Sequence, residues 1–136
     1  MRETRTEKLD RSKFAVYLAK AKNFRLQMEE AMRSPNFDSV AVLGIHCAIS
    51  ASDAVAVYYL GERSKSERHE DAAALLERTN IPQAREKARQ LLTILQDKNL
   101  AEYEPRQVSE KDAKTIFSLA NTLYSWAVSS LPSDKG

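Results

Sequence analysis

Residues 44–76 read GIHCAISASDAVAVYYLGERSKSERHEDAAALL. The first half is an apolar run of small side chains. Gly44, Ala48, Ala51, Ser52 and Val55 cluster on one side of a helix spanning roughly 38–60, a surface against which another helix can come close. Gly61 stands where that helix must stop, since glycine takes the left-handed C-terminal position without a Cβ penalty. A short polar, basic loop follows. The helical period then restarts over roughly 67–78, with Ala72, Ala73 and Leu76 inward. Ser64 with Glu67 can form a capping box, or Ser66 can be the N-cap, and the sequence leaves both open.

The pattern extends outward on both sides. Phe14, Tyr17, Ala21, Phe24, Met28 and Ala31 alternate three- and four-residue steps, the seam of a helix over roughly 6–33 packed lengthwise on a neighbour. Ser34-Pro35-Asn36 breaks it. A fourth helix opens at Ile81-Pro82, with proline where a first turn tolerates it, and carries Ala84, Ala88, Leu91, Leu92 and Leu95. After a polar connection over roughly 97–108, Ser109 and Asp112 cap a fifth helix reaching Leu131, with Ala113, Ile116, Ala120, Leu123 and Ala127 on its core side. Three long helices and two short ones with brief connections predict an all-α, antiparallel up-and-down bundle. The 136 residues suit one domain, with frayed ends near 1–5 and 132–136.

Composition narrows the function classes. Three glycines and four prolines favour helix over sheet, and 43% hydrophobic with 29% charged residues excludes wholesale disorder. A net charge of +2 does not by itself announce a nucleic-acid binder. Cys47 is the only cysteine, so an intrachain disulfide and a cysteine-rich zinc site are excluded, and it reads as a small buried hydrophobe. The N-terminus lacks the apolar core of a secretory signal, and no apolar run reads as approaching bilayer length. The expectation is a cytoplasmic protein, away from membranes.

Two constellations carry possible chemistry. His46, Ser50 and Asp53 stand at i, i+4 and i+7, with Ser39 two turns earlier. Polar groups in line on an apolar helix need partners, because an unpaired buried one costs about 1–3 kcal/mol. They form a site wall, an interhelical hydrogen-bond network, or a stripe facing solvent or a dimer partner. No further ligand completes a metal site with His46 and Asp53, and no cofactor motif is present. The second constellation is the loop after Gly61. Arg63 offers a permanently charged planar fork suited to phosphate. His69, in register with Ala72, Ala73 and Leu76, faces a cleft or the core from the first turn of its helix, where the helix dipole favours a neutral imidazole. Ser64, Lys65 and Arg68 add residue types that bind a phosphodiester. The bland alternative is a packed, hydrogen-bonded histidine.

His46-Cys47-Ala48-Ile49-Ser50-Ala51-Ser52-Asp53-Ala54, followed by Gly61-Glu62-Arg63 and Arg68-His69-Glu70, resembles the HEPN domain family (higher eukaryotes and prokaryotes nucleotide-binding). Ala101-Glu102-Tyr103 and then Val108-Ser109-Glu110-Lys111-Asp112-Ala113 resemble the family's segment before a capped last helix. The resemblance covers about 14–131. It implies a homodimer with the second and third helices near the two-fold axis. It also implies an Arg-x(4–6)-His motif, met by Arg63 and His69, which in active members serves metal-independent endoribonucleases of toxin–antitoxin or defence systems. His69 would then move the proton at the ribose 2′-hydroxyl or the leaving oxygen. Arg63 would stabilise the charged phosphorane, with Ser64, Lys65 and Arg68 binding substrate and His46, Ser50 and Asp53 walling the site. The resemblance equally implies a second class: a non-catalytic dimeric module that binds a nucleotide, or partners a small nucleotidyltransferase or an antitoxin.

Overall fold

The computed structural model describes residues 5–133. They form an all-α bundle with one small antiparallel sheet. In chain order the elements are β1 (Thr6–Lys8), a 3-10 turn (Arg11–Lys13), α1 (Phe14–Arg33), α2 (Phe37–Leu60), β2 (Glu62–Ser64), α3 (His69–Arg78), α4 (Ala84–Gln96), α5 (Lys98–Glu102) and α6 (Glu110–Ser130).

The bundle is built around α2, which touches every other helix. Its small residues are the reason. Ala41, Ala48, Ala51 and Ala54 are fully buried, and Gly44 faces two neighbours at once. A Cβ built on Gly44 would stand 2.7 Å from Ile116 Cγ2 of α6 and 3.1 Å from Met28 Sδ of α1. Asn36 caps the helix, its side chain accepting from Ser39 N at 3.2 Å. Gly61 ends it in the left-handed conformation at φ 70°, donating to Val57 O. By length and composition α2 could cross a membrane, contrary to the expectation that no run approaches that length. In this fold 72% of its most apolar 18-residue window is buried inside the bundle.

The seam expected on α1 packs against α2, with Ala21 and Met28 fully buried. Ser109 caps α6 as expected, accepting from Asp112 N at 3.1 Å, and Ile116, Ala120, Leu123 and Ala127 enter the core. Trp126 Nε1–H donates to Pro82 O at 3.0 Å and ties α6 to the α3–α4 connection. Tyr59 donates its hydroxyl proton to Ser130 O. Cys47 is fully buried as expected, and burial pushes its thiol up to about 12, against the opposing pull of Arg25.

Several boundaries differ from the sequence reading. Residues 6–8 are a strand, not the first turn of a helix. They pair with β2 in the register Thr6↔Ser64, Glu7↔Arg63 and Lys8↔Glu62. Leu9 N–H donates to Gly61 O and Lys65 N–H to Arg5 O, both at 2.9 Å, which extends the ladder at each end. Asp10 then turns the chain, accepting from Ser12 N at 2.9 Å and Ser12 Oγ at 2.7 Å. Arg5 thus lies in the ladder, and so not in a frayed end; the remaining expected frayed positions lie outside the described residues, apart from Pro132 and Ser133.

Neither expected cap opens α3. The chain stays extended through Arg68, and the helix begins at His69 without a side-chain cap. Ser66 Oγ instead accepts from Arg68 N at 3.0 Å and donates to Asp71 at 2.5 Å. The fourth helix starts at Ala84, because Ile81 and Pro82 form a turn that Gln83 closes in the left-handed region, at φ 69°. The polar connection after α4 contains α5.

The close approach at Gly44 sets a test. In Gly44→Ala the helix-propensity gain of about 1 kcal/mol is outweighed by overpacking of about 1–3 kcal/mol. We expect a lower denaturation midpoint with an unchanged m-value. A midpoint at or above the parent's would show that α1 and α6 do not close on this position.

Candidate functional site

Successive helical residues turn by about 100°, so Ile49, Ser52, Asp53 and Ala56 share one edge of α2. This edge is turned toward β2, α3 and α4. Ile49 and Asp53 of this edge floor an open cleft of about 390 Å³. β2 supplies Arg63 and Ser64, the start of α3 supplies His69 and Ala72, α4 supplies Leu95, and α5 with the residues after it supplies Lys98 and Tyr103. Tyr103 is 72% exposed, an aromatic face left open to solvent.

Arg63 organises the cleft wall. Its Nε–H donates to Asp53 Oδ2 at 3.3 Å and its Nη1–H to Glu7 Oε1 at 3.4 Å. Its guanidinium carbon lies 5.2 Å from the centroid of the Tyr17 ring, in cation–π range. The Glu7 contact is a cross-strand pair, since the two residues are directly opposite in the ladder. The two carboxylates therefore use two of the five guanidinium N–H donors, and the Tyr17 ring covers the guanidinium face.

The acid at the centre is more deeply buried than its partner. Asp53 has a 13% exposed side chain against 30% for Arg63. Burial pushes the Asp53 carboxyl up to about 6, and the attractions of Arg63 and Lys20 offset this only in part. One long hydrogen bond does not replace the lost hydration. For Arg63, burial acts to lower the pKa, but Asp53, Tyr17 and Glu7 outweigh it and raise the guanidinium above its ordinary value.

The structure brings together Arg63, Ser64, Arg68 and His69, as the sequence expects, and of the expected wall it places Asp53 beside them. His69 is half-buried at the cleft. The segment between Arg63 and His69, read as a loop, begins as a strand. Lys65 does not line the cleft. It is exposed, and its backbone N–H is tied to Arg5 O at the end of the β1–β2 ladder. The expected wall of His46, Ser50 and Asp53 splits. His46 packs against the Phe24 ring of α1, with centroids 5.5 Å apart, and Ser50 is buried away from the cleft. Asp53 sits at the border between that stripe and the Ile49–Ser52–Ala56 edge.

Sequence reasoning missed Lys98 and Tyr103 of the rim, and Glu7 and Tyr17 behind Arg63. An isolated tyrosine in a polar connection was the one available signal for Tyr103. Nothing local signals that Glu7 meets Arg63, 56 positions away. Neither family models nor curated proteins nor solved structures contain a match to this chain. Among the described residues no group of three or more His, Cys, Asp or Glu side chains is placed to hold a metal ion.

The raised Asp53 pKa predicts a pH dependence. Between about pH 4 and 6 the folded protein keeps a proton on Asp53 that the unfolded chain has released. The folded state binds more protons there, so this residue's contribution falls as pH rises through the window, by on the order of 2–3 kcal/mol in all. Asp53→Asn removes that component. Urea titrations at pH 4 and 6.5 should show a smaller drop for the variant than for the parent. Equal drops would mean that Asp53 ionises as it does in the unfolded chain.

Proposed function

We propose that this protein is a HEPN-like RNA-interacting protein whose cleft cleaves single-stranded RNA without a metal ion. The observation that carries the reading is the convergence of Arg63, Arg68, His69 and Lys98 on one cleft with an open aromatic face at its rim. Cations at a groove track a phosphate backbone, and an exposed tyrosine offers a stacking platform to an unpaired base. The spacing of Arg63 and His69 and the resemblance described above support the same reading.

In this mechanism neutral His69 takes the proton of a ribose 2′-hydroxyl as the 2′ oxygen bonds to phosphorus and the bond to the 5′ oxygen breaks. Arg68, Lys98 and the remaining donors of Arg63 face the charge that gathers on the non-bridging oxygens. The leaving 5′ oxygen takes a proton from an imidazolium. A homodimer with two clefts facing across a two-fold axis would supply it from the second copy's His69, so one histidine need not be base and acid at once.

A second reading is favoured by one specific observation: Arg63 is already held by Asp53 and Glu7. A guanidinium committed to two carboxylates suits a non-catalytic dimeric module that binds a nucleotide, or a nucleotidyltransferase or antitoxin partner, without cutting.

The deciding experiment incubates purified protein with end-labelled single-stranded RNA in chelator. We expect cleavage, reduced about 10²–10⁴-fold in His69→Ala and less severely in Arg63→Lys, which keeps a cation against Asp53. Equal rates in all three proteins would remove the catalytic assignment. RNA binding without cleavage in the parent would select the non-catalytic reading. Sedimentation should show a dimer.

A further inference from the structure

Against the floor of the cleft lies an inner chamber of about 30 Å³. It shares Ile49, Asp53, Ser64, Ala72 and Leu95 with the cleft, so the two spaces have a common wall. Leu75 and Leu76 of α3, Leu91 of α4 and Ala56 of α2 make most of the rest. The exception is Ser52, which lines the chamber, is 7% exposed, and has a buried Oγ with no hydrogen-bond partner among the described residues. Buried hydroxyls in native proteins are nearly always partnered, so an orphan facing a space marks a position where something else supplies the bond. Asp53 borders the same space, and Arg63 engages its Oδ2, leaving Oδ1 outside that bond.

We infer that this chamber reads the exocyclic amino group of a nucleobase held in the cleft. The inference rests on the RNA-interacting reading above. Size decides what enters: at about 30 Å³ the chamber is less than a tenth of the 390 Å³ cleft beside it, so it is matched to a small exocyclic group while the ring keeps to the cleft. Chemistry decides which group. The Asp53 carboxylate only accepts and the Ser52 hydroxyl can accept, so the two N–H donors of an amino group satisfy both, while a carbonyl oxygen can accept from Ser52 alone and meets the charge of the carboxylate. The ring itself stays in the larger cleft between the apolar Ile49–Leu95 side and the Tyr103 rim, with phosphate toward Arg68 and Lys98.

The test uses the full chain at pH 7.5, where Asp53 is ionised, and ligand pairs that differ at one exocyclic position. Calorimetry compares cytidine with uridine monophosphate and guanosine with inosine monophosphate. The tetranucleotides of cytidine and uridine distinguish a base within RNA from a free nucleotide. We expect the amino-bearing member of each pair to bind about tenfold more tightly, the size of one hydrogen bond whose loss strands a polar group. Ser52→Ala should erase that preference. Ser52→Thr, which keeps the hydroxyl and fills the space with a methyl, should erase it as well and covers the case in which the alanine variant does not fold. A preference confined to the tetranucleotides supports the inference with RNA as the source of the base. Equal affinities within every pair would overturn it and leave the cleft reading standing. A preference that survives in both variants would also overturn it, and would assign Ser52 to an ordered water only. No binding of any nucleotide or oligomer would overturn the cleft reading, and this inference with it.

Discussion

The geometry of the cleft depends on one cation. Arg63 leaves a three-residue strand and meets a buried carboxylate on α2, a carboxylate on β1 and an aromatic ring on α1. Each contact alone is modest. Exposed pairs contribute about 0–1 kcal/mol, and a cation–π contact at a partly exposed site is of similar size. Asp53 is a different case, because a carboxylate buried to that extent carries a solvation cost that only a nearby cation reduces. Removing one partner of a buried pair typically costs about 3–5 kcal/mol, far more than forming the pair gains over an apolar substitute. The pair therefore acts less as glue than as a condition: with Asp53 where it is, β2 must bring a cation to it. The rest of the wall, Ser64 to His69, hangs from that placement.

A second constraint is the width of α2. Its small residues let α1 and α6 close on one side, with the Gly44 backbone near Ile116 and Met28. Its opposite edge keeps Ile49 and Asp53 for the cleft. The same helix thus serves core and site by angular division, and a rotation of one residue, about 100°, would take both out of place. This also explains how a helix with membrane-like hydropathy carries an ionisable group near its middle: Asp53 lies where the apolar surround gives way to the Arg63 wall.

The bundle was legible from periodicity because it rests on local repeats. The α1 seam, the Gly61 stop and the Ser109 cap each depend on residues within about two turns of one another. The strands were not legible. Thr6-Glu7-Lys8 and Glu62-Arg63-Ser64 show no alternation long enough to register, and each is a strand only because the other is present. The site followed the same division. Arg63, Ser64, Arg68 and His69 were readable as a neighbouring set, while Lys65 lies outside the cleft at the end of the β1–β2 ladder. The His46–Ser50–Asp53 stripe failed because about 60° of helix arc is wide enough to straddle two environments. Lys98 and Tyr103 come from a segment read as a plain connection, and Glu7 and Tyr17 needed the tertiary fold.

The β1–β2 ladder also bears on when the site exists. Its partners are 56 residues apart, and closing a loop of that length carries an entropy cost that three paired residues on each side recover only once α1 and α2 are packed. The ladder therefore forms late in folding, after the helical hairpin. It belongs to the low-stability end of the molecule, where amide hydrogens exchange through local opening rather than global unfolding. Each such opening withdraws Glu7 from Arg63 while the core stays intact. The contact that spends part of the guanidinium's charge thus rests on a ladder of three residue pairs and not on the core.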